Sequence, residues 1–198
     1  KDCILTNTAH GAISFHSTQA EIRKTIIYGT IGGSAIYVDN AGDNSTLTNC
    51  TIVNNNIGID LSDRPLNVKN SIIFNNSTNL VGYGFLAIEY SNIEGGYTGT
   101  GNINADPLFC NPTNDDFTLA ETSSMIGAGE NGDNMGALGL GCTEPVVYGC
   151  TTTTACNYNQ NANTDDGSCE YCSCQTCLEH GTCVDTGENY TCTCNSYY

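Results

Sequence analysis

Short apolar clusters recur along the first hundred residues at a nearly constant interval. Leu5, Ile27, Ile52, Ile73 and Ile93 stand 22, 25, 21 and 20 residues apart, in runs such as "KTIIYG" (24–29), "NCTIVNN" (49–55) and "NSIIFNN" (70–76). Five residues before the last four stand Ile22, Leu47, Val68 and Ile88, and two residues before all five stand Cys3, Thr25, Cys50, Ser71 and Ser91. Side chains alternate between the faces of a strand, so residues two apart share a face, and a column of small residues is predicted beside a column of large ones. Two residues after each anchor come Asn7, Gly29, Asn54, Asn75 and Gly95, types that tolerate positive φ, so a sharp turn is predicted at the same point of every repeat. A second alternating strand follows in "GAISF" (11–15), "SAIYV" (34–38) and "IGIDL" (57–61). It adds columns of Ile13, Ile36 and Ile59 and of Phe15, Val38 and Leu61.

A period near twenty, with short strands and a bend of fixed chemistry, predicts a solenoid in which each coil buries its apolar face on the next. No window shows the 3.6 spacing of an amphipathic helix, so the expected class is all-β, a parallel β-helix of about five coils. The abundant Asn and the 22 Gly suit its bends and stacked Asn ladders. Cys3 and Cys50 fall in one column two coils apart, about 9.5 Å, beyond the ~7 Å Cα separation a disulfide allows. Both are expected to be unpaired, buried thiols.

Cysteine usage divides the chain. Of 13 cysteines, nine lie between residues 150 and 194, a density that marks a small module stapled by disulfides in an oxidising compartment. The expected parts are a β-helix over 1–145, a Cys-rich repeat over 146–171 and a third module over 172–198. A secreted, extracellular location is therefore expected, with no membrane span, since no run of about 18 apolar residues occurs. The net charge is -16, and the five basic residues, Lys1, Arg23, Lys24, Arg64 and Lys69, all precede residue 70. No basic patch remains for a phosphate backbone, so nucleic acid is excluded as a partner. The acidity suits either solubility or cation binding.

Candidate chemistry is sparse. Asn44, Asn49, Asn75, Asn76 and Asn189 lie in Asn-x-Ser/Thr triplets and are candidate glycan acceptors, Asn44 foremost because it sits in the bend "NAGDNST". "DLSDR" (60–64) is the best group of carboxylates with an arginine, with Asp60 outward and Asp63 and Arg64 in the bend. His10, His16 and His180 show no metal-ligand spacing among them. "NANTDD" offers oxygen ligands at alternate positions, Asn161, Asn163 and Asp165, in the manner of a calcium loop, although Asp166 stands where such loops carry Gly. Calcium is the one cofactor these residues raise.

Beyond residue 90, "YSNIEGG", "GNINADPLF", "DFTLAETSSMIGAG" and "DNMGALG" resemble the closing segment of secreted right-handed β-helix proteins of the pectin-lyase-like superfamily. The resemblance covers about residues 1 to 142 and implies that Asp106 to Phe109 and Asp133 to Leu138 form the last coil and cap. Cys110 and Cys142 flank that segment and are read as a disulfide that closes it. Enzymes of the superfamily cut acidic polysaccharides with clustered aspartates and an Arg or Lys, a pattern this chain lacks. "YGCTTTTACNYNQNANTDDGSCEY" (148–171) resembles a Cys-containing repeat of extracellular proteins, with the pairing of Cys150, Cys156, Cys169 and Cys174 left open. Cys172, Cys177, Cys183, Cys192 and Cys194 with "HGTC" resemble an EGF-like module lacking its sixth cysteine. That resemblance implies Cys172–Cys183 and Cys177–Cys192 pairs, and "CVDTGENYTCTC" implies Asp185 as a modified or calcium-ligating residue.

Lys1 opens inside a coil and the EGF-like part stops one cysteine short, so both ends are expected to continue elsewhere, and open β-helix ends invite stacking. The functional expectation is therefore a non-enzymatic structural subunit of an extracellular glycoprotein fibre or surface appendage, such as a flagellar hair. It is expected to self-assemble or join other extracellular glycoproteins. The alternatives are an adhesin or carbohydrate-binding surface protein with glycan partners and a polysaccharide lyase or hydrolase.

Overall fold

The computed structural model describes residues 3–16, 19–39, 45–62, 65–82, 86–155, 157–170, 181–185 and 190–194. The chain divides into two units, Lys1–Pro145 and Val146–Tyr198.

The first unit is a parallel β-solenoid with three strands to a coil. β1 (Cys3–Thr6), β2 (Ile13–His16) and β3 (Glu21–Arg23) form one coil, and β4 (Thr25–Tyr28), β5 (Ser34–Asp39) and β6 (Ser45–Thr48) the next. β7 (Thr51–Val53), β8 (Ile57–Leu61) and β9 (Leu66–Lys69) follow, then β10 (Ile72–Phe74), β11 (Thr78–Gly82) and β12 (Leu86–Glu89), and β13 (Asn92–Ile93) opens another. Strands at equivalent places stack in parallel, giving a first sheet β1-β4-β7-β10-β13, a second β11-β8-β5-β2 and a third β12-β9-β6-β3. A parallel bridge from Asn92 to Ile103 adds a sixth level to the first sheet.

The large apolar columns read from the sequence are stacked registers. Leu5, Ile27, Ile52, Ile73 and Ile93 pair across successive strands, as do Ile22, Leu47, Val68 and Ile88. The second sheet aligns Ile13, Ile36 and Ile59, and Phe15, Val38 and Leu61. All these residues from Ile27 onward are essentially sealed from solvent, and together they fill the lumen. The predicted corner is equally regular: Asn7, Gly29, Asn54, Asn75 and Gly95 have φ of 54, 72, 58, 51 and 89°.

Two hydrogen-bond ladders run along the corners. At the corner between the first and second sheets, Asn55 accepts from Thr30 N and donates to Ile27 O, Val53 O and the side chain of Asn76, which in turn donates to Ile52 O and to Asn79. At the corner between the third and first sheets, Cys50 N donates to Ser71 Oγ, Ser71 N to Ser91 Oγ and Ser91 N to Asn102 Oδ1, at 3.0–3.1 Å. Buried polar groups require partners, and here each coil supplies them to the next.

Cys50 belongs to the second ladder and is buried and unpaired, as its column predicts. Burial pushes its thiol up to about 11. Cys3 is unpaired too, but it is exposed, which corrects the expectation of a buried thiol. Its strand, β1, has a neighbour on one side only among the described residues.

The segment after residue 104 departs from expectation. Asp106 to Phe109 and Asp133 to Leu138 do not close the end of the solenoid as a last coil and cap. They belong to a cover that lies against the outer face of the first sheet, where Phe109, Phe117, Met125 and Met135 pack on Ile26, Val53 and Ile72. The ring of Phe117 sits 5.1 Å from Tyr28 and 5.4 Å from Phe109. Gly136 N donates to Asn70 O, Ala137 N to Thr51 Oγ1 and Asn49 Nδ2 to Asn134 O, so the cover runs back over earlier coils. Its own frame is β14 (Phe109–Asn111), β15 (Asp116–Ala120) and β16 (Leu140–Cys142), joined by the Cys110–Cys142 disulfide. The strands β4, β7 and β10 of the first sheet are thus buried on both faces, which explains why "TIIY", "TIV" and "IIF" carry apolar residues at consecutive rather than alternating positions.

The second unit pairs β17 (Tyr148–Gly149) in parallel with β18 (Thr164–Asp165) and is closed by a Cys150–Cys169 disulfide, which settles one of the open pairings. Cys156 and Cys174 lie outside the described residues. β19 (Gly181–Asp185) and β20 (Tyr190–Cys194) form an antiparallel hairpin with Cys183 opposite Cys192. Cys172 and Cys177, their expected partners, lie outside the described residues, as do the side chains of Cys183, Cys192 and Asp185. Among the described residues no helix is long and apolar enough to cross a membrane.

Candidate functional site

The outward residues of the second sheet carry the densest chemistry of the first unit. β2 contributes Ser14 and His16, β5 contributes Tyr37 and Asp39, and β8 contributes Asp60. Parallel register sets Ser14 beside Tyr37, Tyr37 beside Asp60, and His16 beside Asp39. Because coil pairing holds neighbouring strands about 4.8 Å apart, side chains directly across from one another are in contact range without further design.

Ser14 Oγ lies 2.9 Å from His16 Nε2, and His16 Nδ1 lies 3.4 Å from Asp39 Oδ2. The His16 ring stands edge-on to Tyr37 at 6.1 Å. Ser34 Oγ donates to Asp60 Oδ2 at 3.3 Å, which anchors the carboxylate beside this group. A cleft of about 340 Å³ opens next to Ser14, bounded by His10, Gly11, Ser34 and Tyr37. Its floor requires Gly33, because a Cβ there would stand 2.2 Å from the carbonyl oxygen of His10 on the preceding coil.

The other expected sites fare differently. Asp60 points outward as predicted, while its proposed companions Asp63 and Arg64 lie outside the described residues. Asn44 and Asn189 lie outside them too. Asn75 is exposed at the corner, with its amide on Asn54 Oδ1, and borders a groove of about 480 Å³ with Thr30, Ile31 and Asn54. Asn49 is half-buried against the cover. Asn76 is 8% exposed, and its amide nitrogen is committed to Ile52 O, Phe74 O and Asn79, so the folded coil offers no room for a glycan there.

In the stretch expected to bind calcium, Asn161, Asn163 and Asp165, several side-chain oxygens make local bonds. Asn163 Oδ1 accepts from Val147 N, Asp165 Oδ1 from Gly167 N, and Asp166 Oδ1 from Ser168 N, so one oxygen of each engages the loop's own backbone. The hydroxyl and N–H of Ser168 also hold the Asp166 carboxyl below the usual carboxylate range. Among the described residues no group of three or more His, Cys, Asp or Glu is arranged to hold a metal ion.

Sequence reasoning missed the Ser14–His16–Asp39 group, although the signal was present. The second-strand columns Ile13 to Ile36 and Phe15 to Val38 step by 23 residues, and the same step carries His16 to Asp39. A histidine and an aspartate in one column read as neighbours only once the register is applied to outward positions as well as inward ones. No protein-family model, curated protein or solved structure matches the chain.

Proposed function

We propose that the chain is a rigid structural module of an extracellular glycoprotein assembly, secreted or displayed at a cell surface. The observation that carries this reading is the way stiffness is built along the solenoid axis. Two side-chain ladders link successive coils at the corners, and the middle strands of the first sheet are clamped on both faces under a disulfide-closed cover. Such an element transmits position over a distance, which is what a fibre or surface layer needs from its subunits. The disulfides Cys110–Cys142 and Cys150–Cys169 favour an oxidising compartment. The resemblances of residues 1 to 142 to secreted β-helix proteins and of residues 172 to 194 to an EGF-like module support the same setting. The exposed sequon at Asn75 suits a glycoprotein.

Cryo-EM of native material, with intact-mass analysis of the same sample, tests the proposal. Ordered assemblies containing the chain, with sugar mass at Asn44 or Asn75, are the expected result. A monodisperse, unglycosylated protein with reduced cysteines overturns it.

A second reading, a surface protein that binds carbohydrate, is favoured by one observation, the cleft beside Tyr37 with its polar rim. Binding of a neutral glycan, lost on Tyr37→Ala, is its test.

A further inference from the structure

We propose that Ser14, His16 and Asp39 form a nucleophilic acyl-transfer site on the outer face of the second sheet, acting on a small neutral ester seated in the adjoining cleft. This goes beyond the scaffold reading and runs against the sequence expectation of a chain without catalytic residues.

The first support is the order in which the groups touch. A carboxylate only accepts hydrogen bonds, so Asp39 beside Nδ1 selects the imidazole tautomer that carries its proton there. Nε2 is then left with its lone pair facing the Ser14 hydroxyl at 2.9 Å. A nucleophile in reach of a base, with that base oriented by a third group, is the arrangement that activates a serine, and it is recognised by geometry on any fold. The 3.4 Å contact to Asp39 is long for a hydrogen bond, as catalytic contacts often are before substrate draws them in.

The second support is the cleft, which begins at Ser14 and whose volume of about 340 Å³ takes an acyl group and a small alcohol. The net charge of -16 disfavours anionic esters, and no Asp, Glu, Lys or Arg lines the cleft, which suits neutral ones such as O-acetyl groups.

In the first step, Ser14 Oγ bonds to the acyl carbon while its proton passes to His16 Nε2. The ester C–O bond then breaks, and the leaving oxygen takes that proton and departs as the alcohol. Water next attacks the acyl-Ser14 ester, giving its proton to Nε2. The C–Oγ bond breaks, the carboxylic acid leaves, and the proton returns to Oγ. Ester and water become acid and alcohol with no redox change. Ser14 and His16 touch the reacting atoms, and Asp39 is a positioning residue.

The experiment uses the full chain with a fluorophosphonate probe and with p-nitrophenyl acetate. Expected are a single phosphonyl adduct mapped to Ser14, its loss in Ser14→Ala, and labelling slowed about a hundredfold in His16→Gln. Asp39→Asn lowers kcat for p-nitrophenyl acetate and leaves KM unchanged, a split that a merely structural role would not produce. Ser14 and His16 are exposed, so circular dichroism and protease resistance are expected to stay native in these variants. Exposed Ser77 serves as the internal reference. Labelling of Ser14 no faster than Ser77 overturns the proposal, as does glycan binding in the cleft without any adduct.

Discussion

Replacing Asn76 by Ala tests whether the corner ladder holds the coils together. The Asn76 side chain accepts from Asn55 N at 3.0 Å and from Asn55 Nδ2 at 2.9 Å, and it donates to Ile52 O, Phe74 O and Asn79 Oδ1. In the variant, Asn55 Nδ2 keeps Ile27 O and Val53 O, but the Asn55 N–H, on a residue only 3% exposed, loses the acceptor that Asn76 supplied. An unsatisfied buried group costs about 1–3 kcal/mol, and the space left by the amide adds to it, so a loss of about 3 kcal/mol is expected. With a urea m-value of about 2 kcal/mol/M, the unfolding midpoint falls by about 1.5 M. The assay is urea unfolding of protein made without glycosylation, so that no sugar enters the comparison. Asn76→Asp can accept but cannot donate to Ile52 O, and it is expected to be worse than Ala. Asn75→Gly, at an exposed φ of 51°, removes one solvent-facing bond and stays within about 0.5 kcal/mol of the parent. An Asn76→Ala midpoint as close to the parent as that of Asn75→Gly would refute the ladder argument.

Three further outcomes are expected. Cys50 has a thiol pushed up by burial to about 11 from 9.0; the unfolded chain ionises first, so its contribution is complete below pH 9.0 and is lost as pH rises toward 11. Chemical unfolding at pH 8 and pH 11 should differ by about 2 kcal/mol more in the parent than in Cys50→Ser, whose hydroxyl matches Ser71 and Ser91 in the ladder. Opening the Cys110–Cys142 bridge with Cys142→Ser frees a 32-residue separation, worth about 3–4 kcal/mol of chain entropy, and should raise binding of a hydrophobic dye as Ile26, Val53 and Ile72 lose their cover. Removing calcium with a chelator should leave thermal unfolding of the 146–170 region unchanged, because one oxygen each of Asn163, Asp165 and Asp166 is already engaged by a backbone N–H group.

Much of the solenoid was legible because its determinants are local and repeated. A β-branched run, a small residue two positions back and an Asn or Gly two positions on are each visible in twenty residues of sequence, and their recurrence fixes the register. The other corner was not legible. Lys24, Asn49, Asn70 and Tyr90 all hold φ near 50° between the third and first sheets, but lysine and tyrosine carry no signal for that conformation. Stacking on neighbouring coils imposes it. The cover was missed for a related reason: a segment that closes the lumen and one that lies on an outer face have the same apolar composition. The distinguishing clue was the consecutive apolar positions within residues 25–28, 51–53 and 72–74, which require burial from both sides.

The same stacking that makes the solenoid stiff also explains how its surface acquires order. Each outward side chain in the second sheet has its neighbour placed by backbone pairing, so Ser14, His16 and Asp39 need no loop to bring them together. His16 and Asp39 remain more than a third exposed, and an exposed polar contact contributes little to stability. Their alignment is therefore set by the scaffold and not by their own attraction. Stability and surface chemistry are in this way separable. Substitutions at Ser14, His16 or Asp39 leave the ladders and the lumen untouched, whereas a loosened ladder at Asn76 or Cys50 disturbs every outward column at once. A repeat of this kind can alter its outer face residue by residue at almost no cost in folding.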